Sequence, residues 1–295
     1  AWVTDKEERQ TGTSMDTSVC RFDSSKNDVT IIDTPGHQMF LKNTIAGVAQ
    51  ADCVVLVVSA AEGEIEAGSA EMKEHILLAS TLGVKKIIVV VNKMDLTYSQ
   101  EKFKEVALKA ASVIKGCGYS PKATAFVPVS GWTGENLSEK SSKMSWFKGW
   151  SDKETGNSLM EAMDAVDVPS RDAKPLRIPI SSVYNVKSVG IVAVGRIESG
   201  TLKVGETVTF EPGRITAEVA SIEVHHADIK SATTGDVVGF NVIVLNQKGM
   251  VCGDLQNNPP QPESFIAKIS ILKTSGAITV GFTPTVDCHT AHVPC

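Results

Sequence analysis

The segment DTPG at 33–36 directly follows the apolar run VTII at 29–32. A carboxylate at the end of a buried strand can bind Mg²⁺ through water, so Asp33 is a candidate metal ligand. Gly36 has no side chain, and its backbone N–H can therefore approach a terminal phosphate. His37 would lie beside that phosphate and orient an attacking water as the catalytic residue; a surface-turn histidine is the alternative. The predicted phosphate-binding loop comprises Asp33, Thr34, Pro35 and Gly36.

A second polar loop, NKMD at 92–95, follows the apolar run IIVVV. At the carboxyl end of a strand, Asp95 can accept hydrogen bonds from the ring N–H and the amino group of guanine. Adenine lacks this donor pair, and sites built on such hydrogen bonds can discriminate by about 10⁴. Asn92 would link neighbouring loops, the Lys93 side chain would cover the base, and Met94 completes the loop. The alternative is a polar loop in which Asp95 caps the next helix.

Two weaker motifs gain meaning from their positions. The segment SGW (Ser130, Gly131 and Trp132) ends the next apolar run, where its backbone N–H groups can reach the guanine carbonyl. Elsewhere, Ser-Gly is a generic turn. Ser14 lies in the polar segment GTSMD, and its hydroxyl is a candidate second ligand for Mg²⁺.

Alternating strands and helices must position these loops. Continuous apolar runs predict strands that are buried on both faces, as in a parallel sheet, at 29–33, 53–60 and 85–95, and one more strand is predicted at 124–131. Apolar residues at helical spacing predict helices at 39–49, 69–82 and 99–115. The alternating segment before Asp33 turns at 24–28 and predicts a hairpin. Together these patterns indicate an α/β layered domain.

The pattern changes at 166–175, where prolines and charges indicate a linker. Short alternating strands with glycine turns follow, as in an all-β barrel. A second break at 257–264 precedes the start of another β unit. The pair His225 and His226 follows a strand of the first β unit, and two histidines on a barrel rim are the simplest interpretation.

The bulk composition narrows the class of protein. The net charge of −5 argues against DNA binding by the chain as a whole. The six cysteines form no paired framework, which is typical of a reducing compartment. Apolar runs are far too short to cross a membrane. We therefore expect a cytoplasmic protein, and because it begins at Ala1 in mid-pattern, we expect part of a longer one.

Taken together, the motifs resemble the eukaryotic elongation factor 1-alpha family: DTPGHQMF, NKMD, SGWTGENL, SWFKGW, KPLRIPI, GRIESGTLKVG, HH, GFNV and DCHTAHVPC. The resemblance implies a P-loop-type GTPase domain at 1–170, without its first strand and phosphate loop. An all-β barrel at 174–258 and the start of a second β-barrel at 263–295 would follow. It also implies GTP or GDP and Mg²⁺ as cofactors, and aminoacyl-tRNA, the ribosome and a guanine-nucleotide exchange factor as partners.

The resemblance also implies residue roles. Residues 33–37 match the second switch with its catalytic histidine, and residues 92–95 and 130–132 match the guanine loops. Ser14 matches a magnesium-binding threonine, and His225 and His226 match a segment near the aminoacylated end of tRNA.

The chain departs from the family at several positions. Thr11, Ser14, Gln38 and Met39 stand where the family has arginine, threonine, a basic and an acidic residue. No G-x-x-x-x-G-K-[ST] motif occurs in the sequence, so we expect the chain alone to bind GTP weakly and to be inactive. A release-factor or ribosome-rescue GTPase and a non-hydrolysing paralogue are the alternatives.

Overall fold

The computed structural model describes residues 6–12, 14–150, 156–168, 171–224, 227–243, 249–264, 266, 279 and 281–294. The chain divides into two compact units, residues 1–168 and 169–295, each with its own core. The domain limits predicted at 170, 174, 258 and 263 remain predictions. An α/β unit with a parallel sheet is followed by a unit of antiparallel strands, which confirms the predicted order of an α/β unit and a β unit.

The first unit contains six helices and five strands among its described residues. In chain order they are α1 (Lys6–Thr11), β1 (Ser18–Asp23), β2 (Asp28–Asp33), α2 (Leu41–Val48), β3 (Cys53–Ser59), α3 (Glu64–Ala67), α4 (Ser69–Thr81), β4 (Lys86–Asn92), α5 (Gln100–Gly116), β5 (Ala125–Pro128) and α6 (Leu159–Asp164). Short 3-10 turns lie at Gln38–Phe40, Met94–Leu96 and Pro121–Ala123.

A parallel sheet in the order β3-β4-β5 forms the centre of this unit. Successive residues of β4 enter two different cores. Val89 and Val91 pack on one side of the sheet, whereas Ile88 and Val90 pack on the other. The prediction of a strand buried on both faces is therefore confirmed for β4.

The same prediction is wrong for two other strands. Strand β3 buries Leu56 and Val58 but exposes Val55 and Val57, because it is the end strand and only one of its faces is covered. The run at 29–33 does not join the parallel sheet, since β2 pairs with β1 in a separate antiparallel hairpin. A short apolar run cannot distinguish these two environments.

The predicted helices are confirmed with shifted ends. The apolar positions predicted for α4 include Met72, Ile76 and Ala79, and all three are buried. The helix predicted at 39–49 begins as a 3-10 turn and continues as α2. The sequence analysis missed α3, a single helical turn that follows the loop after β3.

The second unit is built from antiparallel strands. In chain order they are β6 (Arg177–Val186), β7 (Gly190–Arg196), β8 (Leu202–Lys203), β9 (Thr207–Glu211), β10 (Ile215–Glu218), β11 (Ser221–Val224), β12 (Ala227–Ile229), β13 (Ser231–Ala232), β14 (Val237–Asn241), β15 (Val251–Asp254), β16 (Thr285–Cys288) and β17 (Ala291–Pro294). Eight of them form one sheet in the order β10-β9-β15-β6-β7-β14-β11-β12.

The buried apolar side chains of this unit form one core, in which the rings of Phe210 and Phe240 stack at a centroid distance of 6.2 Å. Most of the strand predicted after residue 263 lies outside the described residues, and the later segment forms the β16–β17 hairpin. Within the described part of the chain, no helix has the length and apolar character that crossing a membrane requires.

Candidate functional site

The loops that follow β4 and β5 lie side by side. Because β4 and β5 are parallel neighbours, their carboxyl ends meet at the same edge of the sheet. The backbone N–H of Gly131 donates to Asn92 Oδ1 at 2.8 Å, and Ser130 Oγ donates to Asp95 Oδ1 at 2.5 Å. The structure therefore brings together the NKMD and SGW segments predicted from the sequence.

Ser130 orients the Asp95 carboxylate. The serine is fully buried, and its hydroxyl also accepts a hydrogen bond from the backbone N–H of Thr133 at 3.1 Å. A carboxylate offers about four acceptor positions, so one bond to Ser130 leaves others for a ligand. The alternative role of Asp95 as a helix cap is wrong, because Ser99 caps α5 by accepting from the N–H of Lys102.

Two large side chains border this loop pair. Lys93 has a left-handed backbone conformation (φ 63°), and its Nζ lies 2.7 Å from the Glu64 carboxylate of α3. Trp132 is 91% exposed. The two loops thus carry an exposed aromatic ring and a lysine that Glu64 restrains. The sequence analysis missed Glu64.

The segment after β2 is held against α2. Thr44 Oγ1 donates to the carbonyl of Pro35 at 2.6 Å. A Cβ at Gly47 would overlap Thr34 and lie 3.2 Å from Ile32 Cγ2. The helix can therefore approach the loop this closely only with glycine at position 47, which the sequence analysis did not single out.

Gly36 has a different environment. A Cβ added there would come no closer than 4.0 Å to its nearest neighbour, His75 Cε1 of α4. Packing within the protein therefore does not require glycine at position 36. The exposed backbone leaves room for a ligand to approach its N–H group.

His37 is exposed, and its ring nitrogen Nδ1 accepts a hydrogen bond from the backbone N–H of Met39 at 3.2 Å. In a neutral imidazole with Nδ1 as acceptor, the proton resides on Nε2. His37 can therefore donate a hydrogen bond from Nε2 to a water molecule. The adjacent Met39 side chain is 80% exposed.

Burial raises the pKa of the Asp33 carboxyl, and the negative charge of Glu8 raises it further. Glu8 Oε1 accepts hydrogen bonds from the backbone N–H groups of Met15, at 2.6 Å, and Asp16, at 3.0 Å. It thereby anchors the segment that contains the half-buried Ser14. The sequence analysis did not identify Glu8.

These residues fit a hard divalent cation. The predicted ligands Asp33 and Ser14 offer a carboxylate and a hydroxyl, which are oxygen ligands of the kind that Mg²⁺ prefers. The described residues contain no group of three or more His, Cys, Asp or Glu side chains arranged to hold a metal. Mg²⁺ commonly uses one or two carboxylates with waters and substrate phosphates instead.

The predicted tRNA-contacting residues His225 and His226 lie outside the described residues, between β11 and β12. The side chain of Gln38 also lies outside them.

The family described as "Elongation factor Tu GTP binding domain" matches residues 2–168, and "Elongation factor Tu domain 2" matches residues 190–254. A bacterial selenocysteine-specific elongation factor, EF-Sec, is 25% identical over 86% of this chain and 40% of that chain, with a TM-score of 0.67. The elongation factor SelB from Methanococcus maripaludis, in complex with a GTP analogue, is 21% identical over 83% of this chain and 50% of its own, with a TM-score of 0.63. The chain thus spans half or less of each structure.

Proposed function

The chain belongs to the elongation factor Tu family of translational GTPases, and from this premise we propose that it delivers aminoacyl-tRNA to the ribosomal A site. Delivery would require the GTP form, and hydrolysis to GDP would release the factor. The observation that carries this proposal is the pairing of the two loops, in which Ser130 aims the Asp95 carboxylate beside Asn92.

In the proposed site, Asp95 accepts hydrogen bonds from the ring N–H and amino group of guanine. The N–H groups of the Ser130–Trp132 segment donate to the guanine carbonyl. Asn92 keeps the two loops in register through its hydrogen bond to Gly131. The aliphatic stem of Lys93 covers the base, and Met94, which is buried, anchors the loop beneath it.

In the proposed switch, Asp33 and Ser14 would hold Mg²⁺, and the bound ion would neutralise charge on the nucleotide phosphates. Thr34 and Pro35 shape the loop, and the Gly36 N–H contacts the terminal phosphate. His37 donates from Nε2 to the attacking water and orients it. Loss of the terminal phosphate removes the Gly36 contact and releases the loop.

The remaining parts of the proposal concern partners. His225 and His226 would lie near the aminoacylated end of tRNA, and a guanine-nucleotide exchange factor would restore the GTP form in the cytoplasm.

The sequence has no glycine-rich phosphate loop. The chain alone should therefore bind GTP weakly, because it lacks charge-assisted hydrogen bonds to the phosphates.

Base selectivity tests the proposed function without depending on phosphate affinity. We expect wild-type chain to bind GDP in preference to xanthosine diphosphate, and Asp95→Asn to reverse this preference, because the amide can donate to the xanthine oxygen. Titration calorimetry or saturation-transfer NMR measures the ratio. Asp52→Asn, at the opposite edge of the sheet, is the matched control. An unchanged GDP preference in Asp95→Asn would contradict base recognition by this residue.

A specialised elongation factor is the second candidate. It is favoured by the 25% identity to the selenocysteine-specific factor. Protection of a mixture of aminoacyl-tRNAs from deacylation separates the two candidates: a general carrier protects most of them, and a specialised carrier protects one.

A further inference from the structure

Among the described sheets, the two strands of the hairpin that carries Asp33 pair only with each other. Strands β1 and β2 form a two-stranded sheet with six paired positions, from Ser18↔Asp33 to Asp23↔Asp28. An isolated two-stranded hairpin is marginally stable in water. Contacts outside the ladder must therefore determine where Asp33 lies.

One set of contacts holds the end of the hairpin near Asp33. Thr17 Oγ1 donates to the carbonyl of Asn43 at 3.3 Å, and Asn43 Nδ2 donates to the carbonyl of Met15 at 3.0 Å. Gly47 brings α2 against the same end. Helix α2 thus restrains the open end of the hairpin but does not reach its turn.

A single carboxylate holds the turn at the opposite end. Ser25 Oγ donates to Asp164 Oδ2 at 2.6 Å, Ser24 Oγ contacts Asp164 Oδ1, and Asn27 Nδ2 lies 3.5 Å from the same oxygen. These bonds lower the pKa of the Asp164 carboxyl, with Ser24 contributing most and Ser25 next. Hydrogen bonds to an ionised acceptor are about twice as strong as neutral ones.

An open cleft lies beside the turn among the described residues of this unit. The cleft, of about 650 Å³, separates the turn from the segment after α6, and its lining includes Lys26 and Asn27 of the turn and Asp164 and Val166 of the other side. On this side of the turn the described residues make no close apolar packing, and the hydrogen bonds to Asp164 are the contacts that cross to α6.

Asp164 is the last residue of α6, and the first turn of this helix is bonded to the loop that contains Ser130. The N–H of Leu159 donates to the carbonyl of Asn136 at 2.9 Å, and the N–H of Met160 donates to the carbonyl of Leu137 at 3.0 Å. Asn136 is buried and donates from Nδ2 to the carbonyl of Pro128 at 2.8 Å. The six-residue helix α6 therefore spans from the SGW loop to the hairpin turn.

We propose that Asp164 is a positioning residue that fixes the Asp33 hairpin relative to the guanine loops through α6. The inference rests on the proposed function, since it adds a mechanical link between the base-recognition loops and the switch. A bound base that orders the SGW loop would order α6 and, through Asp164, the hairpin. Base binding at the SGW loop would therefore order the hairpin in advance, so that the hairpin loses less conformational freedom when it binds a ligand of its own.

The first experiment is hydrogen exchange of the chain without ligand. Asp164→Ala should increase exchange of the hairpin peptides (residues 18–33) about fivefold to tenfold, because exposed hydrogen bonds to a charged acceptor are lost. Peptides from α5 should not change. Asp167→Ala, at an exposed carboxylate of the same segment, is the matched control. Equal hairpin exchange in wild type and Asp164→Ala would overturn the proposal.

Two further variants test the same contact in case Asp164→Ala does not fold. Ser25→Ala should produce a smaller increase in hairpin exchange. The exchanged pair Ser25→Asp with Asp164→Ser should recover most of the protection that either single change loses. Additive effects of the two changes would show that the residues act independently and would overturn the proposal.

The second experiment adds guanosine monophosphate, which lacks the terminal phosphates that would reach Asp33. In wild type it should slow exchange in residues 92–95, 130–135 and 18–33. In Asp164→Ala it should slow exchange in the two loops only. Equal slowing of the hairpin in both proteins would overturn the link through Asp164. Failure to slow the loops in wild type would instead count against the proposed base site, and the ligand-free comparison would still decide the role of Asp164.

Discussion

Gly47→Ala tests whether α2 sets the position of the predicted switch loop. Gly47 is buried near the end of α2, against Thr34 and Ile32. An alanine methyl group would overlap Thr34 Cγ2 and lie 3.2 Å from Ile32 Cγ2. Either the helix or the loop must move to accommodate it.

The expected change in unfolding free energy combines two opposing effects. Overpacking a well-packed site costs about 1–3 kcal/mol. Replacing a helical glycine by alanine gains about 1 kcal/mol. We therefore expect Gly47→Ala to lower the stability of the first unit by about 1 kcal/mol.

Gly116→Ala is the matched control. Gly116 lies at the corresponding end of α5, and a Cβ there would meet no atom within 4 Å. The control should therefore stabilise the first unit by up to about 1 kcal/mol. Because the propensity gain is shared, the difference between the two variants, about 1–3 kcal/mol, isolates the cost of the overlap.

Urea unfolding followed by tryptophan fluorescence measures both variants. The four tryptophans lie at positions 2, 132, 146 and 150, all within the first unit, so the signal reports on that unit. A shift of the midpoint at constant slope gives the change in stability. If Gly47→Ala proved as stable as Gly116→Ala, the close approach of α2 to the loop would be refuted.

Three further predictions follow from the site and the cysteines. The pKa of Asp33 is raised in the folded state, so the contribution of Asp33 to stability is present below the unfolded pKa and is lost as pH rises through the folded pKa. Glu8→Gln should lower the pKa of Asp33 in a carboxyl NMR titration. An unchanged pKa would exclude Glu8 as a cause. In a protein that joins this chain to a glycine-rich phosphate loop, His37→Ala should reduce ribosome-stimulated GTP hydrolysis by about 10²-fold or more while changing GTP affinity far less; equal losses in rate and affinity would remove the catalytic role. Burial raises the pKa of Cys53 to about 12, so iodoacetamide at pH near 8 should label the exposed Cys288 well before Cys53. Mass spectrometry of the labelled peptides measures the order, and labelling of Cys53 first would contradict the prediction.

Local patterns predicted much of the first unit because they reflect local physics. The run IIVVV predicted β4, and the polar segments after β4 and β5 predicted adjacent loops, since parallel strands end at one edge of a sheet. The hydrogen bonds of Asn92 to Gly131 and of Ser130 to Asp95 agree with that expectation.

Other features required contacts that no local pattern contains. The alternating segment before Asp33 correctly predicted the β1–β2 hairpin, but the apolar run of β3 predicted a strand buried on both faces and β3 is an end strand with one face exposed. Glu8 affects Asp33 only because the chain folds back after α1. No recognisable sequence motif contains both Glu8 and Asp33.

The sequence by itself determined the identity of the chemical groups: a carboxylate in the loop after β4, a glycine and a histidine after β2, and an α/β unit followed by a β unit. These follow from residue type and short-range periodicity. Only the tertiary structure decided how the groups are held, with Gly47 against Thr34, Glu8 beside Asp33, and Ser25 bonded to Asp164 across 139 residues of sequence. Such contacts depend on the distances between elements after packing, and the spacing of residues along the chain does not specify those distances.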